Sequence, residues 1–441
     1  MMNYYIKEIS EERKNLLFLP PSIWENMNPK PQWLTLQAGE WMTRVEVELN
    51  EDLPENTVGV STIAEFPYKL PEQVPFEMQI QEGKLRIGPI IAILAFSESR
   101  EMTAEALEKY TRYLAGYSSI NGLIYVCSAT GINHSLKTIE GYCIHLEEKT
   151  SKPVWMIGKF PFPDVLYCHM EWNEDEYNQT LSVLRGKILN GNLSGKWQLW
   201  NLFQSSMHLR GNWPYTELLN NDQKLEDMLK KFESVYLKPL ASGNGKQIFK
   251  VDKKEGVYRI IDRIGEEECL YSAVEVNDFL KGVLRDTYLV QQAVPSIKYV
   301  ERCFNFKVHM QKTSRSHWKC AYITAHFGET GGISANFNRT GIVLNSRDAL
   351  RMVFQMDERQ VFKKEQEIIE LCSAACKTLE HSEGNYAELS IDLILDEDLS
   401  VWLMDINHHP DHQSLFYSDR QLYLNVLATP LEYAKLEAWL V

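Results

Sequence analysis

Glu388-Leu389-Ser390-Ile391-Asp392-Leu393-Ile394-Leu395-Asp396 is followed, after the acidic turn Glu397-Asp398, by Val401-Trp402-Leu403-Met404-Asp405-Ile406-Asn407. Polar and apolar residues alternate in both runs, which is the period of a strand, so the two read as a joined strand pair. Alternate residues of a strand share a face, so Glu388, Ser390 and Asp392 point together, as do Asp405 and Asn407. Oxygen ligands then line one side. Carboxylates and an amide carbonyl on paired strands suit Mg2+, which takes a few protein oxygens and fills its octahedron with phosphate oxygens and water. On spacing alone, a hairpin with one polar, solvated face is the commoner explanation.

The second informative stretch lies upstream. Val235-Tyr236-Leu237-Lys238-Pro239 and Gln247-Ile248-Phe249 flank the small-residue loop Leu240-Ala241-Ser242-Gly243-Asn244-Gly245-Lys246. Two glycines let a hairpin tip fold over phosphates with its N–H groups inward, and Lys238 at the strand end can meet an anionic oxygen. It is a candidate phosphate flap but no Walker A loop, because Gln247 follows Lys246 and no glycine stands five residues before Gly245. Most glycine-rich hairpins are plain turns.

The chain around these segments has 441 residues, which at about 150 per domain predicts three domains. With 44% hydrophobic and 24% charged residues it has the composition of folded domains rather than of disorder or a coiled coil. A net charge of −14 removes the usual electrostatic support for nucleic-acid binding. The start, Met1 to Glu8, has neither the basic nor the apolar segment of a secretory signal, so a cytoplasmic location is expected. The longest apolar run, Ile87–Phe96, contains Gly88 and Pro89 and falls short of the roughly 20 residues a spanning helix needs. It reads as one buried strand, with no membrane span expected. Eight cysteines lack CxxC spacing, and Cys372 with Cys376 reads as a pair of reduced core thiols at helical spacing.

Strand periods such as Arg44–Leu49 predict a β-rich domain over residues 1–82. Alternating strand and helix signals predict a small α/β domain over 83–208, including a helix that carries Tyr177, Leu181, Leu184 and Ile188. Residues 209–441 read as α+β, with a long helix between Arg359 and Leu379. The expected fold class is therefore multidomain, α/β and α+β.

Taken together, the hairpin and the acidic strand pair resemble the ATP-grasp superfamily, and more closely its spore-coat-associated YheC/YheD branch. The resemblance extends to Arg86-Ile87-Gly88-Pro89-Ile90, Phe162-Pro163-Asp164-Val165, Trp213-Pro214-Tyr215-Thr216, Leu289-Val290-Gln291-Gln292-Ala293-Val294, Phe304-Asn305-Phe306-Lys307-Val308 and Ser334-Ala335-Asn336, in that order over roughly residues 85–415. It implies an ATP-grasp fold preceded by a pre-ATP-grasp domain and the β-rich N-terminal domain.

The resemblance further implies ATP held between two subdomains. Lys196 and Lys238 would lie on phosphate or adenine, with Ser242, Gly243, Gly245 and Lys246 over the phosphates. Gln291, Gln292, Ala293 and Val294 would lie along adenine, and Asn336 also beside the nucleotide. Asp392, Asp405 and Asn407 would hold Mg2+. Lys307, Arg339 and His326 would stabilise the transferred phosphoryl group in an ATP-dependent ligase that joins a carboxylate to an amine through an acylphosphate. Spore-coat proteins are the implied partners.

The chain departs from the family pattern at Asn305 and Lys307, where relatives carry Phe-Asp-x-Arg, at His326, where arginine is common, and at Asp405, which stands for glutamate. Lysine keeps the charge but loses the planar two-pronged contact of arginine with phosphate. The alternative is a catalytically degenerate nucleotide-binding or structural protein of the spore coat. His408-His409-Pro410-Asp411-His412 reads as a loop beside the nucleotide rather than a separate metal site, since Pro410 interrupts any regular helix.

Overall fold

Proline lacks the N–H that a strand ladder needs, and Pro89 divides the run Ile87–Phe96 that the sequence presents as one strand. In the computed structural model Lys84–Gly88 belongs to one sheet and Ile90–Phe96 to the next. The structure describes residues 3–61, 70–146, 153–240, 247–262, 267–270, 272–283, 287–333, 335 and 342–439, and their strands form four sheets.

The first sheet has seven strands in the order Tyr5–Ile9, Thr57–Ser61, Leu16–Leu19, Trp41–Leu49, Trp33–Ala38, Lys84–Gly88 and Glu77–Gln81. Val45 and Val47 point into its core while Arg44, Glu46 and Glu48 are less buried, as the period-two pattern requires.

In the second sheet the order is Pro153–Pro161, Thr138–Leu146, Leu123–Asn133, Ile90–Phe96, Val165–Cys168 and Ile188–Leu189, with the last four parallel. Ile90, Ala92 and Leu94 pack toward the first sheet's core, whereas Ile91 and Ile93 meet Tyr110, Leu431 and Ala434 on the helical side. A strand buried on both faces reads as a continuous apolar run, which accounts for Ile90–Leu94. The helix expected to carry Ile188 stops earlier. It spans Glu174–Val183, the chain turns through Arg185 and Gly186 at φ 51° and 85°, and Ile188–Leu189 pairs with Val165–Cys168 as a strand. Glycine takes that left-handed turn without a Cβ clash.

All neighbours in the third sheet are antiparallel: Thr216–Leu219, Tyr288–Gln292, Ser234–Pro239, Phe249–Lys254, Val257–Asp262 and Glu267–Leu270. The fourth sheet is likewise antiparallel: Ile342–Asn345, His317–Thr330, Arg302–Ser314, Glu388–Leu395 and Val401–Asn407. One of its faces is closed by the helix Glu358–Glu383. Asp357 caps that helix by accepting the Gln360 N–H at 2.8 Å, while the Gln360 side chain accepts the Asp357 N–H at 2.9 Å. Val361, Glu365, Ile368, Cys372, Cys376 and Leu379 form its buried stripe, so the two cysteines are core thiols, buried and free. The stripe packs with Phe304, Phe306, Val308 and Met310. Strand alternation then sends Asn305, Lys307, His309 and Gln311 to the opposite, polar face.

The last helix, Arg420–Trp439, packs on both sheets: Tyr423, Val426 and Leu427 meet Tyr322 of the fourth, where Gln311 Nε2 donates to the Val426 carbonyl at 2.7 Å, and Leu431, Ala434 and Ala438 meet Ile91 and Ile93 of the second. Two polar hubs fix this arrangement. Arg86 donates to Asp164 Oδ1 at 2.7 Å and to the Ala438 carbonyl. Asn190, at φ 52°, donates through Nδ2 to the Glu388 and His408 carbonyls and accepts the Ala387 N–H at 2.7 Å. Among the described residues no helix is long and apolar enough to cross a membrane.

Candidate functional site

The polar face of the fourth sheet holds the acidic strand pair. Its ladder sets Lys307 opposite Asp392, Asp392 opposite Asp405, and Ser390 opposite Asn407. Directly opposed residues share a face, so one cation, two carboxylates and an amide are gathered on three neighbouring strands. The Lys307 ammonium lies 3.0 Å from Asp392 Oδ1. Past Asp392 the register shifts, leaving Met404 as an extra residue between the pairs Asp392–Asp405 and Leu393–Leu403. Such bulges bend a strand and re-aim its side chains.

Lys238 comes from the strand Ser234–Pro239 of the third sheet. Its ammonium donates to Gln291 Oε1 at 2.6 Å, and Gln291 Nε2 in turn donates to Thr216 Oγ1 at 2.9 Å. Burial pushes the Lys238 ammonium down to about 8, opposed by the negative charge of Asp405 and Asp392 and reinforced by the positive charge of Lys196. The third-sheet cation and the fourth-sheet carboxylates therefore act on one another. The Asp405 carboxyl is held above its ordinary value, first by burial and then by Asp392, with Lys196 and Lys238 pulling it back. Lys196 opens the helix Lys196–Ser205. Residues from three separate parts of the chain thus share one electrostatic site.

The donor set is oxygen throughout. Two opposed carboxylates, one of them reluctant to ionise, beside the amide of Asn407 fit a hard divalent cation such as Mg2+. Among the described residues no group of three or more His, Cys, Asp or Glu side chains is disposed to hold a metal ion, so Asn407 and ligand oxygens would have to complete such a shell.

His326, opposite Asn305, shares a hydrogen bond at 2.9 Å between its Nε2 and Thr324 Oγ1. Burial, with a smaller push from Lys307, lowers it to about 4. Where relatives commonly carry a charged arginine, the folded chain thus holds a histidine that is neutral near pH 7. On the linker strand, the Gln292 N–H donates to the Tyr215 carbonyl at 2.8 Å and the Ala293 N–H to the Ser234 carbonyl at 3.1 Å, while Val294 is buried. Ser242, Gly243, Gly245, Lys246, Asn336 and Arg339 lie outside the described residues.

Sequence reasoning missed three features. The resemblance places Gln291 along adenine, yet its side chain accepts a hydrogen bond from Lys238 and orients it. The strand pattern groups Glu388 with Asp392, yet its carboxylate is already engaged: Tyr167 Oη donates at 2.6 Å, Gln311 Nε2 at 2.8 Å, and His412 Nε2 lies at 3.1 Å. Burial would raise Glu388, but the His412 ring and these hydrogen bonds bring it below its ordinary value. Asn190, before Gly191, carried a turn signal that could have marked it.

A family model described as YheC/D like ATP-grasp matches residues 185–436, more than half of the chain. Among curated proteins the chain is similar to the endospore coat-associated protein YheD of Bacillus subtilis (strain 168). The two are 22% identical over 93% of this chain and 92% of that protein. YheC of the same organism is 20% identical over 60% of this chain and 76% of its own length. Among solved structures, the VanG D-Ala:D-Ser ligase from Enterococcus faecalis aligns with 10% identity over 79% of this chain and 98% of its own, at a TM-score of 0.45.

Proposed function

The chain belongs to the YheC/D-like ATP-grasp family, and on that premise we propose that it binds ATP with Mg2+ and uses it to join a carboxylate to an amine. The observation that carries this reading is the electrostatic meeting of Lys238 with Asp392 and Asp405 across two sheets. A triphosphate between them would find a cation on one side and metal-binding oxygens on the other. Mg2+ on Asp392, Asp405 and Asn407 would neutralise charge that develops on the phosphates.

In the proposed reaction the substrate carboxylate attacks the γ-phosphorus and ADP leaves. The amine then attacks the acyl carbon, phosphate leaves, and the nitrogen gives up a proton. No protein nucleophile is required, so the chain's work is positioning and charge neutralisation. Lys238, oriented by Gln291, is assigned to phosphate together with Lys196. Ser242, Gly243, Gly245 and Lys246 cover the phosphates, Gln291 to Val294 and Asn336 line the nucleotide, and Lys307 and Arg339 supply further positive charge. His326 acts as a neutral hydrogen-bonding group. The similarity to endospore coat-associated proteins supports an association with the spore coat.

ATP consumption measured against a panel of amino acids and acidic peptides tests the ligase reading. Substrate-dependent ADP release is the expected result; tight Mg-ATP binding with no ADP from any donor sinks it. One observation favours a non-catalytic nucleotide-binding protein instead: Lys307 is already paired with the metal-ligand candidate Asp392. Calorimetric titration with Mg-ATP separates both from a bare scaffold, which would bind neither ATP nor ADP.

A further inference from the structure

Two residues beyond Asp392 toward the second sheet, the polar face reaches Ser390 and then Glu388, about 13 Å away at strand spacing. There the fourth sheet meets the segment Ala104–Gly116 and the end of the strand Val165–Cys168. A cavity of roughly 490 Å³ opens between them, closed on its far side by the loop and helix from His408 to Phe416. That volume is within the range of small-molecule sites. Glu388 and His408 line the cavity, whereas Asp392, Asp405, Lys238 and Lys307 do not, so it is separate from the acid cluster.

The cavity's chemistry is uneven. Two acids line it: buried Glu388, whose carboxylate already accepts from Tyr167 and Gln311 and faces His412, and exposed Asp411. Its two cations are uncommitted: among the described residues neither Lys109 nor Arg112 lies within ion-pair distance of a carboxylate. Arg112 sits over the Phe416 ring at 4.5 Å, and Lys109 over Tyr110 at 5.1 Å. His408, only 7% exposed, has its Nε2 buried without a hydrogen-bond partner. His169 Nε2 is buried and unpartnered as well, in a ring of Tyr167, Tyr113 and Tyr110 at centroid distances of 4.3, 5.0 and 5.8 Å. Burial lowers His169 to about 3, so it presents a neutral imidazole. Unpaired buried polar atoms cost free energy that a ligand hydrogen bond would offset.

We propose that this cavity binds a small aromatic carboxylate, with the acid group on Arg112 and Lys109, the ring among Tyr113 and Phe416, and the remaining polar atoms on His169 and His408. Guanidinium and ammonium groups beside aromatic faces suit an anion attached to a flat apolar body. A phosphate monoester offers the same charge, so the test includes one. The occupant's role as a substrate rests on the ligase reading; its binding does not.

The experiment titrates the full chain, without nucleotide, with phenylacetate, phenylacetamide, acetate and phenyl phosphate, followed by calorimetry or ligand-observed NMR. Phenylacetate should bind at least about tenfold more tightly than the uncharged amide and than acetate. Arg112→Gln, at an exposed position, should weaken phenylacetate about tenfold. Equal affinity for acid and amide, or an unchanged Arg112→Gln titration, overturns the proposal, and preference for phenyl phosphate overturns the carboxylate assignment. Phenylacetate binding as described, with no acid yielding ADP, leaves the cavity standing and removes the ligase reading. ADP release with no phenylacetate binding does the reverse.

Discussion

One strand, Glu388–Leu395, carries two buried carboxylates in opposite states. Glu388 accepts hydrogen bonds from Tyr167 and Gln311, faces His412, and lies below its ordinary pKa. Four residues on, Asp392 faces a second carboxylate, and its opposite number Asp405 is held above its ordinary value. The same type of charged group is tied by several hydrogen bonds at one end and at the other shares its surroundings with a second carboxylate and with Lys307. A carboxylate with several hydrogen-bond partners ties elements together; a pair of opposed ones repels, and here Lys307, Lys196 and Lys238 offset part of that repulsion.

The contrast breaks most visibly if Glu388 is removed. Glu388→Ala leaves Tyr167, Gln311 and His412 without their shared acceptor and should cost about 3–5 kcal/mol in denaturant unfolding, as other broken buried pairs do. Because the folded-state value of Glu388 is depressed, its contribution is present above the unfolded pKa and fades as pH falls through the folded one. An Asp392→Ala chain should fold with a smaller loss of stability than Glu388→Ala, since Lys307 loses its partner, yet lose roughly 100-fold or more in Mg-dependent ATP affinity by calorimetry. If Asp392→Ala proves the more destabilising of the two, the division between the strand's ends is wrong.

Lys238 sharpens the picture through pH. With its ammonium pushed down to about 8, part of the population is uncharged near pH 8–9 and regains a proton when phosphate arrives. ATP binding at pH 8.5 should take up a fraction of a proton, read from calorimetry in buffers of different ionisation enthalpy, and Lys238→Met should abolish the uptake. The smallest effect concerns Asp405. Its raised value means that ionisation penalises the folded state above that value and not below the unfolded pKa. Asp405→Asn should therefore raise the melting temperature slightly at neutral pH, while Mg-ATP affinity falls; an unchanged or lower melting temperature would deny the stored repulsion.

How much of this was legible follows from the range of each signal. Period-two alternation is local, and it placed Asp392, Asp405 and Asn407 on one face. The long helix expected between Arg359 and Leu379 is found as Glu358–Glu383, with Cys372 and Cys376 in its buried stripe, because spacing within adjacent turns is a local signal; its Asp357 cap is not part of that reading. The break at Gly88–Pro89 was masked by apolar residues on either side, which look alike in one sheet or two. Spacing alone draws Ile188 into a helix, although Gly186 supplies the stop. The Gln291 side chain and the closing of Glu388 depend on partners 53 and 221 residues away in sequence, which no local pattern encodes.

Asn190 has a mechanical consequence. With one short side chain it fastens residues 387, 388 and 408 to the end of the second sheet. The seam between second and fourth sheets therefore cannot act as a hinge without breaking several buried bonds at once. If a nucleotide binds as proposed, opening for its entry is expected of the third sheet rather than of this seam.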